Sequence, residues 1–181
     1  MRAAHLHGHT RGGKPPGPTD LVLQPGEYAV ADHHHRILTL LGSCVSITLW
    51  HPGRRIGAMS HFLVPSRSAR EPVTQAMALD AHYGDEALAL MLRGLARRGV
   101  SPQACEAKIF GGGDMFPTVP AQGPSVGRRN GEAARCLLQA HGIPVRSESL
   151  FGTGHRKIIF DVASGHVWSH QARRAGMGGA A

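Results

Sequence analysis

The 181-residue chain predicts an α+β fold, a layered sandwich with a mixed or antiparallel β-sheet core and two main helices packed outside. Three observations carry this. Many short apolar runs are bounded by Gly, Pro, Asn or Ser and read as strands. Only two segments carry apolar residues at helical spacing. Aromatics are only 5% of the chain, while glycines number 24 and prolines 12, so Leu, Ile, Val, Met and Ala must form the core between loops of defined shape.

In order, residues 1–20 are rich in Gly, Pro, His and Arg and read as a disordered tail. Residues 21–169 form the one domain, and 170–181 a second, flexible tail. Strands are expected at 27–31, 36–41 and 45–50, then at 56–65 after the turn "HPGRR", ending at Pro65. Residues 66–82 read as a loop into "GDEALALMLRGLARRG", the clearest helix. Asp85 and Glu86 favour its start, Arg97 and Arg98 its end and Gly99 its stop, with Leu88, Met91, Leu92 and Leu95 as the buried stripe. "CEAKIFGGGDMF" reads as a strand entering a glycine turn, and 130–142 as a second helix with Asn130 as N-cap. Three strands close the chain, the last two as a hairpin turning near Ser164-Gly165.

The net charge of +8 suits an acidic partner. Its arginine pairs, Arg97-Arg98, Arg128-Arg129 and Arg173-Arg174, are dispersed and no aromatic residues interleave them, so nucleic-acid binding ranks last. Three cysteines without a CxxC pair argue against a disulfide framework or a zinc ribbon and point to a reducing compartment. No apolar run is long enough to span a membrane, and the N-terminus lacks the apolar core of a secretory signal, so the expected location is the cytoplasm.

The unusual stretch is "ILTLLGSCVSITLW", an apolar run interrupted by Gly42-Ser43-Cys44. A buried cysteine is most often a small hydrophobe. Here Gly42 permits a tight bend, and a cysteine between two strands can point into a cleft, where backbone N–H groups such as those around Ser43 stabilise charge. His61 is the candidate base. Pairing Trp50 with Ile56 across the turn places His61 opposite Val45, next to Cys44. The plainer alternative for His61 is a strand histidine with satisfied hydrogen bonds. "HHH" at 33–35 reads as a solvated turn rather than a metal site, since three consecutive residues of an extended backbone cannot all face one ion. "GGGD" at 111–114 lacks the Lys-Ser/Thr of a phosphate loop and reads as a turn where backbone closely approaches a neighbour. Cys105 and Cys136 read as packing residues.

Taken together, "GEYAV", "LGSCVSITLW", "IGAMSHFLVP", "YGDEALALML", "KIFGGGDMF", "VGRRN" and "GTGHRKIIFDVASGHVW" resemble, in order and spacing, the chemoreceptor glutamine deamidase family, CheD. The resemblance spans about Glu27 to Trp168. It implies a cysteine amidohydrolase that converts receptor glutamines to glutamates with release of ammonia. Cys44 would be the nucleophile and His61 the base, and no metal or organic cofactor is implied. A methylesterase side reaction is conceivable from the same acyl-enzyme. The resemblance further implies a layered fold distantly like that of deamidating bacterial toxins, and partners among methyl-accepting chemotaxis receptors and CheC-type phosphatases. The family pattern carries a threonine six positions before the cysteine, where this chain has Leu38, with Thr39 standing five before. Either a bulge brings Thr39 to the site or another group fills the third role. A non-catalytic adaptor for receptors or a CheC-type phosphatase is therefore the competing expectation.

Overall fold

The computed structural model describes residues 17–67, 78–116 and 123–172. Much of both terminal segments, the stretch before the first helix and the Arg173-Arg174 pair lie outside the described residues.

Two mixed sheets and two helices form three layers. The strands are β1 (Thr19–Val22), β2 (Tyr28–Asp32), β3 (His35–Leu41), β4 (Val45–His51), β5 (Ile56–Ser60), β6 (Glu106–Gly111), β7 (Val145–Leu150), β8 (Arg156–Asp161) and β9 (Val167–Gln171). The helices are α1 (Gly84–Arg97) and α2 (Val126–Ala140). One sheet has the order β1-β3-β8-β9 and the other β2-β5-β4-β6-β7. All pairs are antiparallel except β1 with β3 and β6 with β7.

The five-stranded sheet is the middle layer, and this explains the near-continuous apolar run of β4. Val45, Ile47 and Leu49 pack with Leu88, Met91, Leu95, Ala134 and Leu138 of the helices. On the other face Met59 and Phe110 meet Ile37, Leu41, Ile158 and Phe160 of the second sheet, with Cys44 and Trp50 packed against them. Trp50 Nε1 donates to Val162 O at 2.9 Å, satisfying the one polar atom of a ring placed between the sheets.

Several boundaries differ from those expected. β1 begins two residues inside the expected tail, at Thr19, because Asp20 pairs with Arg36 of β3 (2.8 Å) and its backbone joins β3 in parallel register. β9 likewise runs to Gln171, past the expected domain end. The second helix starts at Val126 with Ser125 as its cap, whose side chain accepts from the Arg128 N–H; Asn130 lies inside the helix and is not its N-cap. Cys136 is exposed rather than packed, since the buried stripe of α2 runs through Gly127, Asn130, Gly131, Ala134 and Leu138. His33 and His34 form the β2–β3 turn, and His35 Nδ1 meets Asp32 Oδ1 at 2.8 Å.

The β4–β5 register is shifted by one from the expected pairing. His51 faces Ile56, Trp50 faces Gly57, and Phe62 rather than His61 faces Val45. The turn closes one residue tighter because the Arg55 N–H reaches His51 O at 2.9 Å, with Arg55 at a φ of 48°. The shift decides chemistry. Strand side chains alternate, so the expected pairing would have put His61 and Cys44 on opposite faces. The observed pairing puts them on the same face at diagonal positions, about 7 Å apart in backbone terms and within side-chain reach.

Candidate active site at the junction of the two sheets

Gly42-Ser43-Cys44 is the corner at which the chain leaves the four-stranded sheet after β3 and enters the five-stranded sheet as β4. This is why an apolar run breaks there. A Cβ on Gly42 would stand 3.1 Å from the Met115 sulfur, so a side chain at this point would crowd the bend.

The corner is pinned from outside by its carbonyls. Gly42 O accepts from the Gly113 N–H and Cys44 O from the Gly112 N–H, each at 2.8 Å. Ser43 O accepts from Asn130 Nδ2 at 3.0 Å. The glycine turn "GGGD" therefore does closely approach a neighbour, and that neighbour is the cysteine corner. Gly111 and Gly112 have φ values of 109° and 66°, and a Cβ on Gly111 would lie 2.3 Å from Cys44 O. With the three carbonyls held, the N–H groups of Gly42, Ser43 and Cys44 make no backbone hydrogen bond among the described residues. Backbone N–H groups left without such a partner are the kind of donor that can receive a developing negative charge.

His61 follows β5 and is 2% exposed. Its backbone is clamped on both sides, with His61 O accepting from the Gly26 N–H (2.8 Å) and the His61 N–H donating to Glu27 O (2.9 Å). Its Nδ1 lies 2.7 Å from Thr39 Oγ1, and Thr39 Oγ1 lies 2.8 Å from Leu23 O. A hydroxyl has one proton and a carbonyl only accepts, so the Thr39 proton goes to Leu23 O. Thr39 Oγ1 then accepts from Nδ1–H, which leaves Nε2 of the neutral ring without a proton. Burial is the main cause that lowers the His61 pKa from 6.5 to about 4, so the ring is neutral at pH 7.

Thr39 reaches His61 without a bulge. β3 pairs with β8 in unbroken register from Arg36 to Leu41, and alternation turns Ile37, Thr39 and Leu41 inward while Leu38 faces the other side.

Cys44 is partly buried, and burial pushes its thiol up despite its own N–H lying beside the sulfur. The resting state is therefore thiol and neutral imidazole rather than an ion pair. No hydrogen bond joins Cys44 Sγ to His61 among the described residues. Such contacts commonly tighten only once substrate is bound.

A cleft of about 240 Å³ opens beside the corner, lined by Ser43, Gly113, Asp114, Met115, Phe116, Ser125, Val126 and Gly127. Phe116 is 75% exposed at its rim. A larger groove of about 870 Å³, over Glu27, Arg67, Asp80 and Leu90, is lined by none of the site residues. Among the described residues no cluster of His, Cys, Asp or Glu has the makings of a metal site.

Two site residues were missed from sequence. Asn130 read as a helix cap because the helix start was misplaced. Arg156 is 4% exposed on β8 and donates to Gly111 O (2.9 Å), Ser149 O and Phe151 O, fixing the end of β6 where the glycine turn begins. An arginine before an apolar strand gives no signal of such a role.

The family model described as CheD chemotactic sensory transduction matches residues 63–171. It begins just after His61, so it is independent of Thr39, Cys44 and His61. The chain is 61% identical over 160 residues to the probable chemoreceptor glutamine deamidase CheD 2 of Albidiferax ferrireducens, covering 88% of this chain and 91% of that one. It is 42% identical to the probable chemoreceptor glutamine deamidase CheD of Pseudomonas savastanoi pv. phaseolicola, over 89% of this chain and 90% of that one. It is 44% identical to the protein named probable chemoreceptor glutamine deamidase CheD 3 in Dechloromonas aromatica, over 82% and 85%. On both the family match and the extent of these identities, the chain belongs to the CheD family.

Proposed function

We propose that this chain is a cysteine-dependent protein-glutamine deamidase that converts glutamine side chains of methyl-accepting chemoreceptors to glutamate in the cytoplasm. The observation that carries the reading is the orientation of His61. A buried histidine whose Nδ1–H is held by Thr39 presents a bare Nε2 on the strand face it shares with Cys44. A histidine serving only the core would have both ring nitrogens paired, whereas among the described residues only Nδ1 of His61 has a partner.

Cys44 is the nucleophile, His61 the general acid and base, and Thr39 the residue that orients the ring. As the thiol attacks the glutamine side-chain carbonyl, Nε2 takes its proton, and a C–S bond forms. The carbonyl electron pair moves to oxygen and is received by N–H groups of the Gly42–Cys44 corner. The pair returns, the C–N bond breaks, and His61 Nε2–H protonates the departing group, which leaves as ammonia. Water gives a proton to Nε2 and attacks the thioester, and the tetrahedral adduct collapses to glutamate, with the proton returned to the Cys44 sulfur. No step requires a cofactor. A glutamate methyl ester would form the same thioester with methanol as the leaving group, which gives the methylesterase side reaction.

The adaptor alternative drew on Leu38 at the family's threonine position. The contact between Thr39 and His61 favours catalysis instead. A CheC-type phosphatase stays in the proposal as a second partner, one that binds without being consumed. The experiment is ammonia release from a receptor cytoplasmic fragment, with Cys44→Ala beside the native protein. Release by the native protein alone supports the enzyme. Tight binding of the fragment with no release by either protein would turn the reading to the adaptor.

A further inference from the structure

Asn130 is a fully buried polar side chain whose hydrogen bonds run to the segments that carry Cys44 and His61, yet the reaction scheme gives it no task. It projects from α2, and its Nδ2 donates to Ser43 O at 3.0 Å and to Leu63 O at 2.7 Å. Its Oδ1 is buried with no partner among the described residues. The amide cannot be turned over, since Oδ1 would then face two carbonyl oxygens. A buried acceptor left unpaired works against stability, and natural cores rarely keep one without a reason.

The two carbonyls point to that reason. One belongs to the residue before the nucleophile, and the other to the strand extension two residues beyond His61. The Ser43–Cys44 peptide is trans, so its C=O and N–H point in opposite directions. Holding Ser43 O against α2 turns the Cys44 N–H the other way, to where it lies beside the Cys44 sulfur. We propose that Asn130 is a positioning residue for the oxyanion site. It aims the Cys44 N–H at the reacting carbonyl oxygen and ties the nucleophile corner to the histidine strand at a fixed span. Among the described residues it makes no hydrogen bond to the thiol or the imidazole.

The inference rests on the deamidase reading for its chemistry, but its test needs no receptor. Two reactions of Cys44 separate the roles. With p-nitrophenyl acetate the sulfur attacks the ester carbonyl, passes through an oxyanion, expels p-nitrophenolate and keeps the acetyl group as a thioester. With iodoacetamide the sulfur displaces iodide from carbon, and no oxyanion forms. Both rates are read at Cys44 by mass spectrometry in the native protein, in Asn130→Asp and in Asn130→Ser, with Cys44→Ala as background. Asn130→Asp is nearly isosteric but loses the donor, and Asn130→Ser keeps one donor on a shorter stem should the Asp variant not fold.

The proposal expects acylation to fall about 10²-fold, the scale for loss of an oxyanion donor. Alkylation should stay within a few-fold of native. An equal fall in both reactions would reduce Asn130 to general support and overturn the proposal. Unchanged acylation, or no Cys44-dependent acylation in the native protein, would also overturn it. If the native protein acylates as expected yet deamidates no receptor, the functional reading fails and the Asn130 comparison stands.

Discussion

The proposed mechanism concentrates its proton transfers in one side chain, His61, whose surroundings make two quantitative demands. Its pKa of about 4 puts the acid limb of kcat/KM near pH 4 rather than near the ordinary histidine value of 6.5, provided the chain stays folded. A pH–rate profile on a receptor fragment reads this directly, and a limb at 6 to 7 would mean a solvated, unburied ring. The same shift couples to stability. In the folded chain the ring stays neutral from pH 6.5 down to about 4, while in the unfolded chain it protonates. The unfolded state then binds more protons, so stability falls as pH drops through that window, by about 2 kcal/mol between pH 7 and 5 from this group. Urea melts at the two pH values should show the difference, and His61→Gln should remove that part of it. At Thr39, Thr39→Val should lower kcat about 10²-fold by freeing the ring, with Thr39→Ser close to native. Equal rates for Val and native would show that Leu23 O or another group sets the tautomer alone. Cys44 stood out in the sequence because a glycine, a hydroxyl and a thiol interrupt an apolar run, whereas His61 was placed beside it by a strand register that the structure shifts by one. The approach of Thr39 to Nδ1 was expected only by way of a bulge, since spacing along a chain does not show which strand face a residue takes.

At the scale of elements, the site is held by backbone approaches that only glycine permits. A Cβ on Gly127 at the start of α2 would lie 2.4 Å from Gly112 O, and Gly112 N–H holds Cys44 O. Gly127→Ala should therefore push α2 off the glycine turn, cost about 1–3 kcal/mol and slow turnover by displacing the nucleophile corner. A melting temperature and a kcat measured together check it, and a folded variant with native kcat would show that the turn does not position Cys44. Strand and helix identities were readable because the apolar periods are clear, α1 above all. What was not readable came from long-range pairing. β1 lies in a stretch of tail-like composition and forms because β3 offers a parallel edge and Arg36 meets Asp20. Its connection to β2 then supplies Leu23 O to the site. The β4–β5 register was off by one because the His51 carbonyl closes a tighter turn than composition alone reveals.

The whole molecule carries a formal charge of +8, yet Cys44 and His61 are both uncharged at pH 7. If the deamidase reading holds, the charge should serve encounter with the substrate rather than the chemical step. With an acidic receptor helix as substrate, raising salt should raise KM while leaving kcat nearly unchanged. A kcat that falls with salt while KM holds would contradict this division. Among the described residues no helix is long and apolar enough to cross a membrane. The three-layer plan was legible only as layers with two helices outside; that both helices share one face, and that the site spans both sheets, follows from strand pairing.

The most direct test of the account is peptide mass spectrometry of a receptor cytoplasmic fragment incubated with the native protein, with Cys44→Ala and with His61→Ala. Defined glutamines should be converted to glutamate by the native protein and by neither variant. Conversion that persists in either variant, or none with the native protein, would contradict it.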